Sequence, residues 1–343
     1  MNDVENVTFL FNKKFVVAQM APAVRVTVGE IFGKECGINM TEELTGLLKL
    51  LGFNEVIETP FGADIVTYIE ALEFLEKLKR NDGFPLFNSC CVGWREYAER
   101  RHPELKSHVS RAVSPMMAAG AITKMHFSKL WNLKPEDIAV VGIMPCTLKK
   151  HETQFIMPNG MKYVDYVITT KELKEWVNKE GIELKDIKPT QPNKLTLPSM
   201  NGVIFGTTGG ITEAMLTTLS SLLGEKKTMS LVRENNTLRE YEVNIGEYNL
   251  HVGVVYGFAS LEKLLKRIKE GEIFHFIEVM MCPLGCVGGP GQLPASIDCI
   301  KKRAEGLRET ADKMRSKNPV ESPSIKNVED FIKSHLNLFM FSD

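Results

Sequence analysis

The sequence is poor in the features that mark several large functional classes. Its 42 Lys and Arg stand against 43 Asp and Glu, a net charge of −1. That leaves no basic excess to neutralise phosphates, so nucleic acid is not an expected partner. No apolar run approaches the ~18–20 residues that cross a bilayer, so no membrane span is expected. The N-terminal stretch MNDVENVTFLFNKK carries Asp3 and Glu5 where a signal peptide would be basic. The expected compartment is therefore the cytoplasm, or the lumen of an anaerobic organelle. Internal repeats, low-complexity blocks and heptads are lacking. The turn Gly206-Thr207-Thr208-Gly209-Gly210 is neither GxGxxG nor GxxxxGK[ST], and reads as a plain strand–turn–helix junction.

Cysteine is scarce as well: Cys36, Cys90, Cys91, Cys146, Cys282, Cys286 and Cys299 are the only seven. An odd number without a secretory signal argues against a disulfide framework. Cys36 and Cys299 sit in no partner motif and are expected to be buried structural thiols. The histidines form no HxxxH pair, and no CxxC knuckle of the structural-zinc kind occurs.

What is present is an alternation of short apolar runs with helical patterns. Runs apolar on both faces occur at 15–19, 138–143, 202–205, 252–256 and 274–280, and amphipathic patterns at 42–51, 65–80 and 171–179. This alternation predicts an α/β fold with two lobes, each a mostly parallel sheet flanked by helices. The Pro- and Lys-rich stretch 183–200 suggests a lobe spanning 1–190, a second spanning 191–315, and a helical tail over 316–343.

Three loops concentrate the unusual residues: FNSCCVGW (87–94), MPCTLKKHE (144–152) after one apolar run, and EVMMCPLGCVGGPGQLP (278–294) after another. Ligand sites of α/β sheets collect at the C-terminal ends of strands. One thiolate from each of the first two loops and two from the third make four, the complement of a 4Fe–4S cluster or a structural zinc. Ligands scattered over three loops favour a cluster held where the lobes meet. The glycines of the third loop let the backbone approach an inorganic group closely.

These loops are similar to the three signatures of the catalytic domain of iron–iron hydrogenases: TSCCPxW (here NSCCVGW), MPCxxKxxE (here MPCTLKKHE) and ExMxCxxGCxxGGGQP (here EVMMCPLGCVGGPGQLP). The likeness extends through APAVRVTVGE (21–30), residues 51–75, YVITTKEL (166–173) and FGTTGGITEAM (205–215). It implies that Cys91, Cys146, Cys282 and Cys286 hold a 4Fe–4S cubane. Cys286 would bridge to a diiron subcluster carrying CO, cyanide and an azadithiolate, completing an H-cluster. Lys149 would donate to a cyanide, while Ala21, Pro22, Met144, Phe205 and Met280 line the pocket. Cys90 would be a proton relay, leading through a water to Glu73, then Ser110 and Glu70. Without the resemblance, Glu70 and Glu73 at i,i+3 would read as one solvated helix face.

The resemblance further implies a minimal member without ferredoxin-like modules, since Cys36 is the one cysteine ahead of residue 90. Its expected partners are ferredoxin or a similar electron carrier, and maturation proteins that install the diiron group. The expected activity is reversible proton reduction to dihydrogen. Other readings are a non-catalytic iron–sulfur assembly or interaction relative, or a dihydrogen sensor, that keeps the 4Fe–4S site. Asn88, Val92, Ala23, Gly288, Pro290 and Leu293 depart from the family pattern without removing a ligand or a relay residue.

Overall fold

The computed structural model describes residues 3–341; the extreme ends of the first span and of the tail, residues 1–2 and 342–343, lie outside the described residues. The run FVVAQM forms β1 (Phe15–Met20), with every residue after Phe15 buried. It pairs in parallel with β2 (Glu55–Glu58) on one side, and on the other with β4 (Ile138–Met144), buried throughout. Next to β4 lies β5 (Tyr166–Thr169), so the first sheet runs β2-β1-β4-β5 and is parallel across its width. Its strands are short, β-branched and apolar on both faces because helices cover both sides.

The second sheet is ordered β3-β9-β8-β7-β6. It contains β3 (Leu86–Phe87), β6 (Lys227–Glu234), β7 (Leu238–Ile245), β8 (Tyr248–Tyr256) and β9 (Phe276–Met280). It is parallel from β3 through β9 to β8 and antiparallel beyond. The antiparallel part departs from a parallel lobe for a visible reason. β6 is exposed along nearly its whole length and β7 alternates buried with open positions, the pattern of a half-solvated hairpin. Because β3 belongs to this sheet, the chain crosses from one sheet to the other within residues 1–190.

One expected strand is a helix. Residues 202–205 fall largely in the helix Met200–Ile204, whose N-cap Ser199 accepts from the Gly202 N–H. Asp64, fully buried, accepts from both the N–H and the hydroxyl of Ser199, at 2.7 and 2.5 Å. A four-residue apolar run is too short for periodicity to separate a strand from a buried helical turn. The Gly206–Gly210 turn accordingly joins two helices, and Gly209 (φ 86°) opens the helix Gly210–Leu223.

A buried ion pair anchors the first sheet, with Arg25 hydrogen-bonded to Glu58 at the end of β2, both almost unexposed. Burial pushes the Glu58 carboxyl up despite the guanidinium beside it. Removing one member strands a desolvated charge, so Arg25→Met is expected to cost ~3–5 kcal/mol. Denaturant unfolding measures this, and a loss under ~1 kcal/mol would show that Glu58 finds another partner.

Candidate metal centre and proton path

The three cysteine loops leave the C-terminal ends of β3, β4 and β9. The β3 loop is fastened by Asn88. Its side-chain oxygen accepts from the Val279 N–H at 2.7 Å. Its amide donates to Val279 O and to Cys90 Sγ, both at 3.4 Å. Trp94, buried on the next helix (Val92–Arg101), donates its indole N–H to Asn88 O at 3.0 Å. The side chain that departs from the family's threonine therefore makes three of these contacts, one of them to a signature cysteine.

The β9 loop is laced to the first sheet. Gly291 N–H donates to Pro145 O at 2.8 Å and Lys171 N–H to Gly291 O at 3.1 Å. Gln292 donates to Ala23 O at 3.0 Å and accepts from Thr170 at 2.6 Å. Between the two cysteines of this loop, Gly285 has φ 94°, and a Cβ there would lie 2.7 Å from Gly206 O. Only glycine meets both demands. Glu278, which opens the third motif, points elsewhere: it accepts from the N–H groups of Gly209 and Thr212, both at 2.7 Å. A carboxylate at a helix N-terminus satisfies orphan donors and the dipole together.

The four loop thiols share one environment. Burial pushes Cys282 up to about 12, with Cys91 and Cys146 adding repulsion. Cys286 is raised well above the ordinary thiol value by burial, then by Cys282, Cys91 and Cys146. Among the described residues, no three of these sulfurs come within 4.8 Å of one another. A single tetrahedral zinc with ~2.3 Å bonds would need its sulfurs under ~4 Å apart. Four neighbouring thiols spread wider than one ion suit a cubane, which takes one thiolate at each corner iron. The donor set therefore fits the cluster that the motifs imply, and binding it must displace the thiol protons.

Ala21, at the end of β1, is buried, as are Met144 and Met280, the last residues of β4 and β9, and Phe205; Pro22 is partly exposed. Lys149 donates to Cys90 O at 3.2 Å and to both carboxylate oxygens of Glu152 at 3.0 Å. Burial disfavours its charge, yet Glu152 and the Cys90 thiol outweigh this and hold the ammonium above the usual lysine range. Glu152 is itself buried and accepts from Ser114 at 2.5 Å. Sequence reasoning assigned it no role, although it closes the motif MPCTLKKHE.

Cys90 is buried, and its thiol is held well above the ordinary value by that burial, with Glu70 adding repulsion. Glu70 and Glu73 lie on the helix Thr59–Arg80. The helix is buried through Ala71 and emerges toward Arg80, so Glu70 is the inner group. Both the N–H and the hydroxyl of Ser89 reach Glu70 Oε1 at 3.3 Å, while Glu70 Oε2 is buried without a hydrogen-bond partner. Burial, then the nearby Glu73 charge, raises the Glu70 carboxyl to about 8. Ser110 donates to Glu73 Oε2 at 2.8 Å. Glu73 is raised too, by burial, and with Ser110 it lines an open cavity of about 940 Å³. The expected order, Glu73 innermost, is thus reversed: the spacing i,i+3 puts both on one face but does not say which end of the helix is deep.

A two-sheet α/β scaffold carrying four clustered thiols at its strand ends, with buried carboxyls nearby, is the arrangement of a protein that holds an iron–sulfur cluster. The description "Iron only hydrogenase large subunit, C-terminal domain" matches residues 14–290, and the chain belongs to that family. It is 36% identical to the NADP-reducing hydrogenase subunit HndD of Solidesulfovibrio fructosivorans over 94% of this chain and 58% of that one. It thus spans little more than half the length of that relative. An apo [FeFe]-hydrogenase HydA1 structure from Chlamydomonas reinhardtii superposes with a TM-score of 0.86 at 29% identity, covering 99% of this chain and 98% of that one. The cytosolic Fe-S cluster assembly factor narfl of Xenopus tropicalis is 29% identical over 83% of this chain and 63% of its own. No helix among the described residues is long and apolar enough to cross a membrane.

Proposed function

We propose that this chain is a catalytic [FeFe]-hydrogenase domain that carries out 2H⁺ + 2e⁻ ⇌ H₂ with electrons from a ferredoxin-type carrier. Cys91, Cys146, Cys282 and Cys286 would hold the cubane, and Cys286 would also meet the diiron subcluster. When bound, that group supplies the iron centre and the amine base at which protons and electrons combine. The protein's part is to orient it, exclude water and deliver protons. Lys149, kept charged by Glu152, would donate to an anionic diatomic ligand, and Ala21, Met144, Phe205 and Met280 would keep the surroundings apolar. Pro22 would contribute the backbone at the rim.

The observation that carries this reading is that buried Glu70 lies close enough to Cys90 to act on its thiol, while Ser110 and Glu73 are hydrogen-bonded at the cavity, a row of groups that we read as a proton path. A carboxyl raised to about 8 exchanges protons near neutral pH, which an ordinary exposed glutamate does poorly. An assembly factor has no use for such a path. Maturation proteins would install the diiron group in the cell. In vitro, cubane-loaded protein would be treated anaerobically with a synthetic diiron azadithiolate complex and given reduced viologen. Gas evolution is expected. Its absence, with cubane and diiron complex both bound, would favour the assembly reading.

A further inference from the structure

The two cysteines outside the metal centre are joined: Cys36 and Cys299 form a disulfide that spans 263 residues of sequence. This corrects the expectation of two separate buried thiols. Sequence spacing gave no sign of it, because fold topology alone brings the loop after Val28–Phe32 against the helix Ile297–Asp312. Both sulfur-bearing residues are half-buried and flanked by exposed Glu35 and Asp298, so a small dithiol can reach them.

The disulfide is not alone in fastening these segments. Cys299 and Arg303 stand at i,i+4 and share a helix face. Arg303 makes a two-pronged pair with Glu30 at 2.7 and 2.6 Å, on the segment that carries Cys36. The backbones of the two segments also meet one turn further along the helix: a Cβ on Gly306 would fall 1.8 Å from Gly37 O. Arg303 also donates to Val287 O at 3.3 Å and Leu293 O at 3.0 Å, one on each side of the GGPGQ turn. The helix that holds Cys299 therefore also grips the loop that follows the third and fourth cluster thiols.

We infer that Cys36–Cys299 is a reversible oxidation site that clamps the helix Ile297–Asp312 and, through Arg303, steadies the loop beyond Cys286. Opening consumes two electrons and two protons from a dithiol, yielding the Cys36 and Cys299 thiols and the oxidised dithiol. Closing is the reverse exchange with a disulfide of the glutathione class, which leaves as two thiols. The Glu30–Arg303 pair persists in both states, so opening loosens the clasp without unfolding the chain.

The test uses cubane-loaded protein, with and without dithiothreitol, alkylated and mapped by peptide mass spectrometry. Residues 36 and 299 should resist alkylation as a disulfide-linked pair, become alkylated after the dithiol, and be protected again by oxidised glutathione. Amide exchange over 31–40 and 286–303 should quicken roughly tenfold or more on opening, as expected for a lost local constraint. A C36S–C299S variant should show the fast exchange from the start and ignore the dithiol. Thiols that stay fully alkylatable in oxidised glutathione, or exchange over 286–303 that is equal in both states, would overturn the inference.

Discussion

Cys90→Ala should leave the iron–sulfur content of the cubane unchanged and lower the rate of hydrogen evolution by ~10²–10⁴-fold, the usual worth of a positioned proton donor. The adjacent cysteines face different neighbours. Cys91 is among the thiols whose charges burden Cys282 and Cys286, whereas Cys90 is packed beside Glu70, Asn88 and the backbone reached by Lys149. Alanine keeps Cβ and removes only the sulfur, so the cavity it leaves is small and the surrounding core loses little. Iron and sulfide analysis together with a viologen-driven gas assay reads both halves of the expectation. If the variant instead loses cubane iron, the roles of the two neighbours are exchanged.

Glu70→Gln should likewise cut turnover by two orders of magnitude or more, while making the folded chain more stable above neutral pH. The carboxyl rises from 4.5 to about 8 on folding, with burial the leading cause. A group raised in this way binds its proton more tightly in the folded chain. Its contribution to stability is complete below pH ~4.5 and is lost as pH climbs through about 8. Glutamine stays neutral, so its advantage grows across that window and then levels off. At ~1.4 kcal/mol for each tenfold displacement in proton affinity, the gain at alkaline pH is a few kcal/mol. Urea unfolding at pH 5 and pH 8.5 measures it. Equal stability of the two proteins at both values would mean that Glu70 is solvated and no relay. Stability and turnover moving in opposite directions would be the mark of a carboxyl kept buried for proton transfer.

The sequence disclosed the parallel cores and the three loops for physical reasons. β1 and β4 are covered on both faces, so their apolar runs are unbroken, and the cysteine loops follow short strands with glycine where backbones must touch. The exposed hairpin β6–β7 left a weaker trace because its solvated positions interrupt the pattern, and the helix Met200–Ile204 was hidden in a run too short to show a period. Within the candidate site, residue types and spacing singled out the three cysteine loops, whereas Lys149 and both glutamates were marked only by the resemblance to the family's motifs. What they did not convey was depth. Glu70 and Glu73 are equivalent on a helical wheel, and only the packing of the helix against the rest of the molecule makes one the inner group. Partnerships distant in sequence were equally silent: Ser114 with Glu152, Asn88 with Val279, Arg303 with Glu30, and Cys36 with Cys299.

Isotope exchange tests, without any electron carrier, whether this chain cleaves and forms dihydrogen. Protein loaded with both the cubane and the diiron complex would be held in ordinary water under D₂, and the gas followed by mass spectrometry. Steady release of HD is expected, lost or greatly reduced in Cys90→Ala and Glu70→Gln. D₂ that persists unexchanged over protein whose cubane and diiron group are both in place would contradict the catalytic reading.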